Sequence, residues 1–138
     1  MTMNEVPCRV LLNIGGTSRL QARFGRAVDL DTPSPKEVGE TYREHMWLSG
    51  GEPTTRPDFL TVLGACSEPI SLRTDGLILI DPKVAARIRS AGVHRVCIPI
   101  YSIRPDAHDW LSGVVGSGRR ALKAIRVCVE AGLQVHVE

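Results

Sequence analysis

A chain of 138 residues, 43% hydrophobic and 23% charged, is long enough for one globular domain with a packed core and too apolar for a disordered segment. Its apolar runs, such as residues 96–101, fall far short of the ~20 residues a membrane helix requires, and the polar start at residues 1–5 has no signal-peptide core, so a cytoplasmic protein with no membrane partner is expected. The formal charge of +2 is too small to argue for a nucleic-acid partner, and Arg119, Arg120, Lys123 and Arg126 fall at near-helical spacing, as a solvated helix face would.

In chain order, residues 9–14 form a short apolar run that breaks at Gly15-Gly16, which reads as a buried strand followed by a loop. Ser34, Pro35 and Glu37 have the pattern of a helix start, with an N-cap, a first-position proline and a capping-box glutamate, and the helix extends to about Glu44. A strand over residues 45–48 ends at Ser49-Gly50-Gly51. A helix follows over residues 57–66, with Phe59, Leu60 and Leu63 on one face, and Pro69 stops it. Residues 70–74 form a third strand ending at Asp75-Gly76. Asp81-Pro82 opens a helix over residues 84–91 that Gly92 closes. Residues 93–102 make the fourth strand, the most continuously apolar segment, and residues 117–131 the fourth helix, with Leu122, Ile125 and Val129 and an end at Gly132. Residues 133–137 make a fifth strand.

Five strands separated by helices form a βαβ series, and right-handed crossovers make the sheet parallel. Apolar runs without strict alternation suit strands covered on both faces. Cys8, Cys66, Cys97 and Cys128 are far apart in sequence, which reads as isolated buried thiols and not as a metal or disulfide framework. The remaining motifs follow strands, at the end of a parallel sheet where functional loops lie.

Those motifs carry a resemblance. Ser18-Arg19-Leu20-Gln21-Ala22-Arg23-Phe24-Gly25, then Trp47-Leu48-Ser49-Gly50-Gly51-Glu52-Pro53-Thr54-x-Arg56-Pro57-Asp58-Phe59, then Leu72-Arg73-Thr74-Asp75-Gly76 and Ile98-Pro99-Ile100-Tyr101-Ser102 are similar, in this order, to segments of the radical S-adenosylmethionine (radical SAM) family. The resemblance implies an α/β fold with a parallel sheet of about five strands, as a partial (βα) barrel. It also implies a S-adenosylmethionine site at Gly50, Gly51, Glu52 and Pro53, with Thr74 and Ser102 contributing. The family's first loop holds a [4Fe–4S] cluster through C-x3-C-x2-C. Here that spacing falls on Ser18, Ala22 and Gly25, none of which supplies a thiolate, so the cluster is not expected. Cys8, placed before the first strand, lies at the wrong end of the sheet to replace a ligand.

Each residue also has a plainer reading. The glycines permit tight turns, Glu52 is a loop carboxylate or a helix N-terminal charge, and Ser102 satisfies loop backbone groups. His108-Asp109 reads as structural, with the aspartate as a cap, and Gly113-x-x-Gly116-x-Gly118 lacks the ending of a phosphate loop. Relative to the family's six strands the chain stops at strand five, which leaves an edge for a second copy or another protein to complete. Three functions stay open: a degenerate binding member of the family, an active enzyme completed by a partner or further sequence, and a protein-binding scaffold.

Overall fold

A computed structural model describes residues 10–18 and 32–138. Among them, five strands, β1 (Val10–Asn13), β2 (Met46–Ser49), β3 (Ile70–Arg73), β4 (Val93–Ile98) and β5 (Gln134–Val137), pair in sequence order, all parallel. Helices α1 (Pro35–Thr41), α2 (Phe59–Ala65), α3 (Pro82–Ser90), α4 (Pro105–Ser112) and α5 (Ser117–Glu130) connect them, with a 3-10 turn at Pro53–Thr55. This is the α/β partial barrel that the sequence implied.

Local chemistry opens α1 and α3 as their capping patterns imply. The Ser34 hydroxyl accepts the Glu37 N–H at 3.3 Å, and the Glu37 carboxylate accepts the Ser34 N–H at 2.8 Å, a complete capping box. The Asp81 carboxylate accepts the Lys83 N–H at 2.9 Å, and Gly92, at φ +106°, closes α3. The first helix nevertheless ends at Thr41, short of Glu44.

The sheet is strongly curled. The rings of Trp47 on β2 and His136 on β5 meet edge to face with centroids 5.3 Å apart. In a flat sheet three strand spacings would put the backbones of β2 and β5 about 14 Å apart, too far for these side chains, standing on one face, to meet. The convex face carries Leu48, Ile70, Leu72, Val96 and Ile98, packed with Val38, Val62, Leu63, Ile88 and Ala124 from the helices. The concave face carries Trp47, Ser49, Ser71, Arg73, Arg95 and His136. Polar side chains collect on the concave face, yet Trp47, Ser49, Ser71 and Cys97 there are buried as well, so the central strands are covered on both faces, as runs without strict alternation implied. A bulge keeps Arg95 on the concave face: Ile70 pairs with Val93 but Ser71 with Arg95, so His94 is an extra residue.

Other expectations need correction. Helix α2 begins at Phe59 after Asp58, and Val62, not the exposed Leu60, completes its buried face. Strand β4 stops at Ile98, and residues 105–112, between the expected fourth strand and fourth helix, form α4, with Pro105 in its first turn and Gly113 left-handed at its end. On α5 the buried residues are Ser117, Gly118, Ala121, Ala124, Val127 and Cys128, while Leu122 is 40% and Val129 60% exposed. The approach is too close for leucine: a Cβ on Gly76 would come within 3.1 Å of the Ala124 Cβ. Mostly small side chains face the sheet, Ile125 is half-buried, and Leu122 and Val129 turn outward together with Arg119, Arg120, Lys123 and Arg126.

Cys66, Cys97 and Cys128 are buried free thiols, and burial pushes those of Cys66 and Cys128 up to about 11. Cys8 lies outside the described residues. No helix among those described is long and apolar enough to cross a membrane.

No hydrogen bond joins the side chains of His108 and Asp109, although their charges influence one another. The buried His108 ring, its pKa lowered by desolvation, accepts the Tyr101 N–H through Nδ1 at 3.2 Å. Asp109 accepts the N–H groups of Gly116 at 2.6 Å and Gly118 at 2.8 Å, so it fills the N-terminus of α5 from the preceding helix. These bonds hold its pKa below the usual carboxylate value. Its stabilisation is therefore complete above the unfolded pKa and is lost as pH falls through the lowered folded value. Asp109→Ala should lower unfolding free energy by about 0.5–2 kcal/mol at pH 7. In urea denaturation that deficit should shrink as the pH drops toward 2.

Candidate functional site

The carboxyl ends of β1, β2 and β3 converge on Glu52. Its residue is only 2% exposed, and its carboxylate is densely bonded. Oε1 accepts the hydroxyls of Thr54 and Thr74, each at 2.6 Å, and the Thr54 N–H at 3.2 Å. Oε2 accepts the Asp75 N–H at 2.6 Å. Burial raises the Glu52 pKa and the nearby Asp75 charge raises it further, against the lowering effect of these donors. Glu52 is thus neither a solvated carboxylate nor only a cap: it bonds β2's exit loop to β3's.

Two residues outside the expected set complete the frame. Asp75, itself buried, accepts the Leu77 N–H at 2.9 Å and shapes the turn that presents its own N–H to Glu52. Arg56 is buried with its guanidinium forked onto both Asp58 oxygens at 2.8 Å, and its Nη1 donates to the carbonyls of Ile14 at 2.6 Å and Pro33 at 2.9 Å. It ties β1's exit to the loop after β2. Both residues lie within the matched segments, but an arginine beside an aspartate in a loop gives no sequence sign of burial.

The glycines have a geometric reason. Gly15, Gly16 and Gly50 have φ of +80°, +91° and +150°. A Cβ on Gly16 would fall on the Glu52 carbonyl, one on Gly50 on the Gly15 carbonyl, and one on Gly51 on the Gly16 carbonyl. The two loops pack backbone against backbone, which only glycine permits. Thr55 reinforces this: its hydroxyl accepts the Thr17 N–H at 2.7 Å and donates to the Glu52 carbonyl at 2.7 Å. Ser18 is thereby held beside Gly51, since a Cβ there would lie 3.0 Å from the Ser18 nitrogen.

The structure therefore brings together Ser18, Gly50, Gly51, Glu52 and Thr74, with Pro53 buried as the first residue of the 3-10 turn. Ser102 stands apart. It is half-buried, its hydroxyl accepts the Arg104 N–H at 3.2 Å, and no hydrogen bond joins it to Glu52 or Thr74. Ala22 and Gly25 lie outside the described residues. Among those described, no group of three or more His, Cys, Asp and Glu side chains is arranged to hold a metal ion.

Close packing of this kind is measurable. Gly16→Ala should destabilise the fold by about 2 kcal/mol or more, because it combines a left-handed backbone with a backbone clash. Gly64→Ala on α2, where a Cβ meets nothing within 4 Å, should stabilise it by about 0.5–1 kcal/mol. Paired denaturant midpoints check both.

Comparison with known proteins identifies the family. The model of the Radical SAM superfamily matches residues 20–138. The chain is similar to the AdoMet-dependent heme synthase of Methanosarcina barkeri, at 33% identity over 98 residues, covering 69% of this chain and 28% of that protein. It is similar to a probable GTP 3′,8-cyclase of Methanosarcina acetivorans, at 37% over 90 residues, covering 62% and 26%. It is also similar to the PqqA peptide cyclase of Granulibacter bethesdensis, at 29% over 100 residues, covering 70% and 26%. The matched region spans little more than a quarter of each relative. With its parallel curled sheet, its glycine-packed loops and a family match over most of its length, the chain belongs to the radical SAM superfamily.

Proposed function

We propose that this chain is a ligand-binding member of the superfamily that holds S-adenosylmethionine at the carboxyl rim and builds no [4Fe–4S] cluster from its own first loop. The observation that carries the reading is a contrast. The Glu52–Thr74–Asp75 network is complete, whereas Ser18, Ala22 and Gly25 stand where three thiolates would be required. A serine oxygen is a poor iron ligand, and alanine and glycine side chains offer no donor atom. The donor set of this loop does not fit the cluster.

The rim does fit the amino-acid end of S-adenosylmethionine. In this reading the Glu52 carboxylate takes the ammonium, aided by backbone carbonyls of the Gly50-Gly51 turn. Pro53 sets the direction of that turn, Thr74 orients Glu52 through its hydroxyl, and Ser102 lies on the nucleoside side. S-adenosylmethionine bound here would supply a sulfonium and an adenosine for recognition, with no electron delivered from this loop. The relatives' substrates do not enter the reading. The open edge of β5, where Val137 is exposed, is proposed as the contact for a second copy or another protein in a cytoplasmic setting.

A second reading rests on the chain's spanning little more than a quarter of its relatives. It is a redox-competent enzyme completed by a partner or by further sequence.

Calorimetric titration with S-adenosylmethionine separates these readings. Saturable binding is expected. Glu52→Gln should weaken it by about tenfold or more, as loss of a charge-assisted bond does. Denaturation curves of both proteins establish that the variant is folded at the titration temperature. Absence of binding to the folded wild-type protein sinks the ligand-binding reading. Anaerobic reconstitution should give no brown iron–sulfur species, and cleavage of S-adenosylmethionine to 5′-deoxyadenosine would establish the second reading.

A further inference from the structure

We propose that a cleft at the amino-terminal ends of β3, β4 and β5, at the opposite end of the sheet from the Glu52 rim, binds the phosphate group of a small molecule. The cleft has a volume of about 340 Å³, and Arg89, His94, Arg95, Glu44 and Gln134 contribute to its lining. Arg89 comes from the last turn of α3, His94 is the extra residue of the β4 bulge, and Arg95 belongs to the concave face. Three separate structural devices thus bring nitrogen groups to one hollow, and two of them are guanidinium donors.

The donors are held without being used up. Arg95 donates from Nε to the Ser71 hydroxyl at 2.8 Å and from Nη2 to the Glu44 carbonyl at 3.0 Å, and its guanidinium carbon lies 5.6 Å from the Trp47 ring centroid. Its Nη1 has no acceptor among the described residues. The hydrogen-bond contact of Arg89 among those residues is Nη1 with His94 Nε2 at 3.5 Å, which is long and leaves Nε and Nη2 without an acceptor. Two permanent positive charges therefore border the cleft. Glu44 is the lining carboxylate that opposes them, and Glu68, 3.3 Å from His94, adds a second negative charge beside the cleft.

Structural roles account for part of this. A cation in the last turn of α3 suits the helix dipole, and Arg95 ties β4 to β3 and to the loop before β2. Neither role explains why two guanidiniums with spare N–H groups face a common hollow large enough for a ligand. Guanidinium forks match the oxygens of phosphate and of carboxylates. The tetrahedral oxyanion suits donors that converge from different elements, and a dicarboxylate is the competitor.

The test is a calorimetric titration of the whole protein with inorganic phosphate, at ionic strength held constant with sodium chloride, repeated with succinate. Saturable phosphate binding is expected, weakened about tenfold or more by Arg89→Gln. Arg89→Lys, which keeps the charge and loses the fork, should fall between the two. Arg120→Gln, an exposed change on α5 that removes the same charge, should leave binding unaltered. Far-UV circular dichroism checks that each variant is folded. The proposal is overturned if phosphate does not saturate, if Arg89→Gln and Arg120→Gln behave alike, or if succinate binds more tightly than phosphate.

Discussion

Burying the Glu52 carboxylate is the constraint on which the carboxyl rim depends. A carboxylate removed from water must be met by donors or give up its charge. The donors come from the 3-10 turn after β2 and from the turn after β3, so satisfying one side chain fixes two loops relative to each other. Arg56 applies the same logic with the opposite sign, taking carbonyls at the end of β1 and before α1. Together the two buried charges join three successive strand ends. Only then do the Gly15-Gly16 and Gly50-Gly51 loops approach closely enough to exclude any Cβ.

Curvature of the sheet makes the two ends of the molecule chemically different. Because β2 and β5 face one another across the concave side, Trp47, Arg95 and His136 fill the space within the curl. Above them lies the glycine-packed rim, and below them the arginine-lined cleft. On the convex side the small residues of α5 let that helix settle close to β4, where its packing differs from that of an ordinary amphipathic helix. The fold thus keeps its polar chemistry inside the curl and at the ends, and its hydrophobic core between sheet and helices.

Strong local signals were legible in the sequence. Ser34 and Glu37 formed their capping box, Asp81 capped α3, and Gly92 ended it, because each interaction involves residues close along the chain. The strand order followed from βα alternation, and Gly50, Gly51, Glu52 and Thr74 were placed by their match to a family pattern. The face of α5 differs from the expected one because Leu122 and Val129 are large apolar residues at helical spacing, whereas the side buried against the sheet is lined mainly by the small Ala121, Ala124 and Cys128, with Val127 at its edge. Helix α4 was missed because Arg104 provides no capping side chain, although Pro105 and Gly113 marked its ends.

By itself the sequence determined the class of fold, the ancestry, and the lack of thiolates at Ser18, Ala22 and Gly25, since these depend on residue identity and order along the chain. Tertiary structure decided the rest. The burial of Glu52 and Arg56, the role of Asp109 as a cap reaching from one helix to the next, and the meeting of Arg89, His94 and Arg95 involve residues whose partners lie on other elements. A buried charge and an exposed one look alike in a sequence. They differ only in the donors and acceptors that folding brings to them.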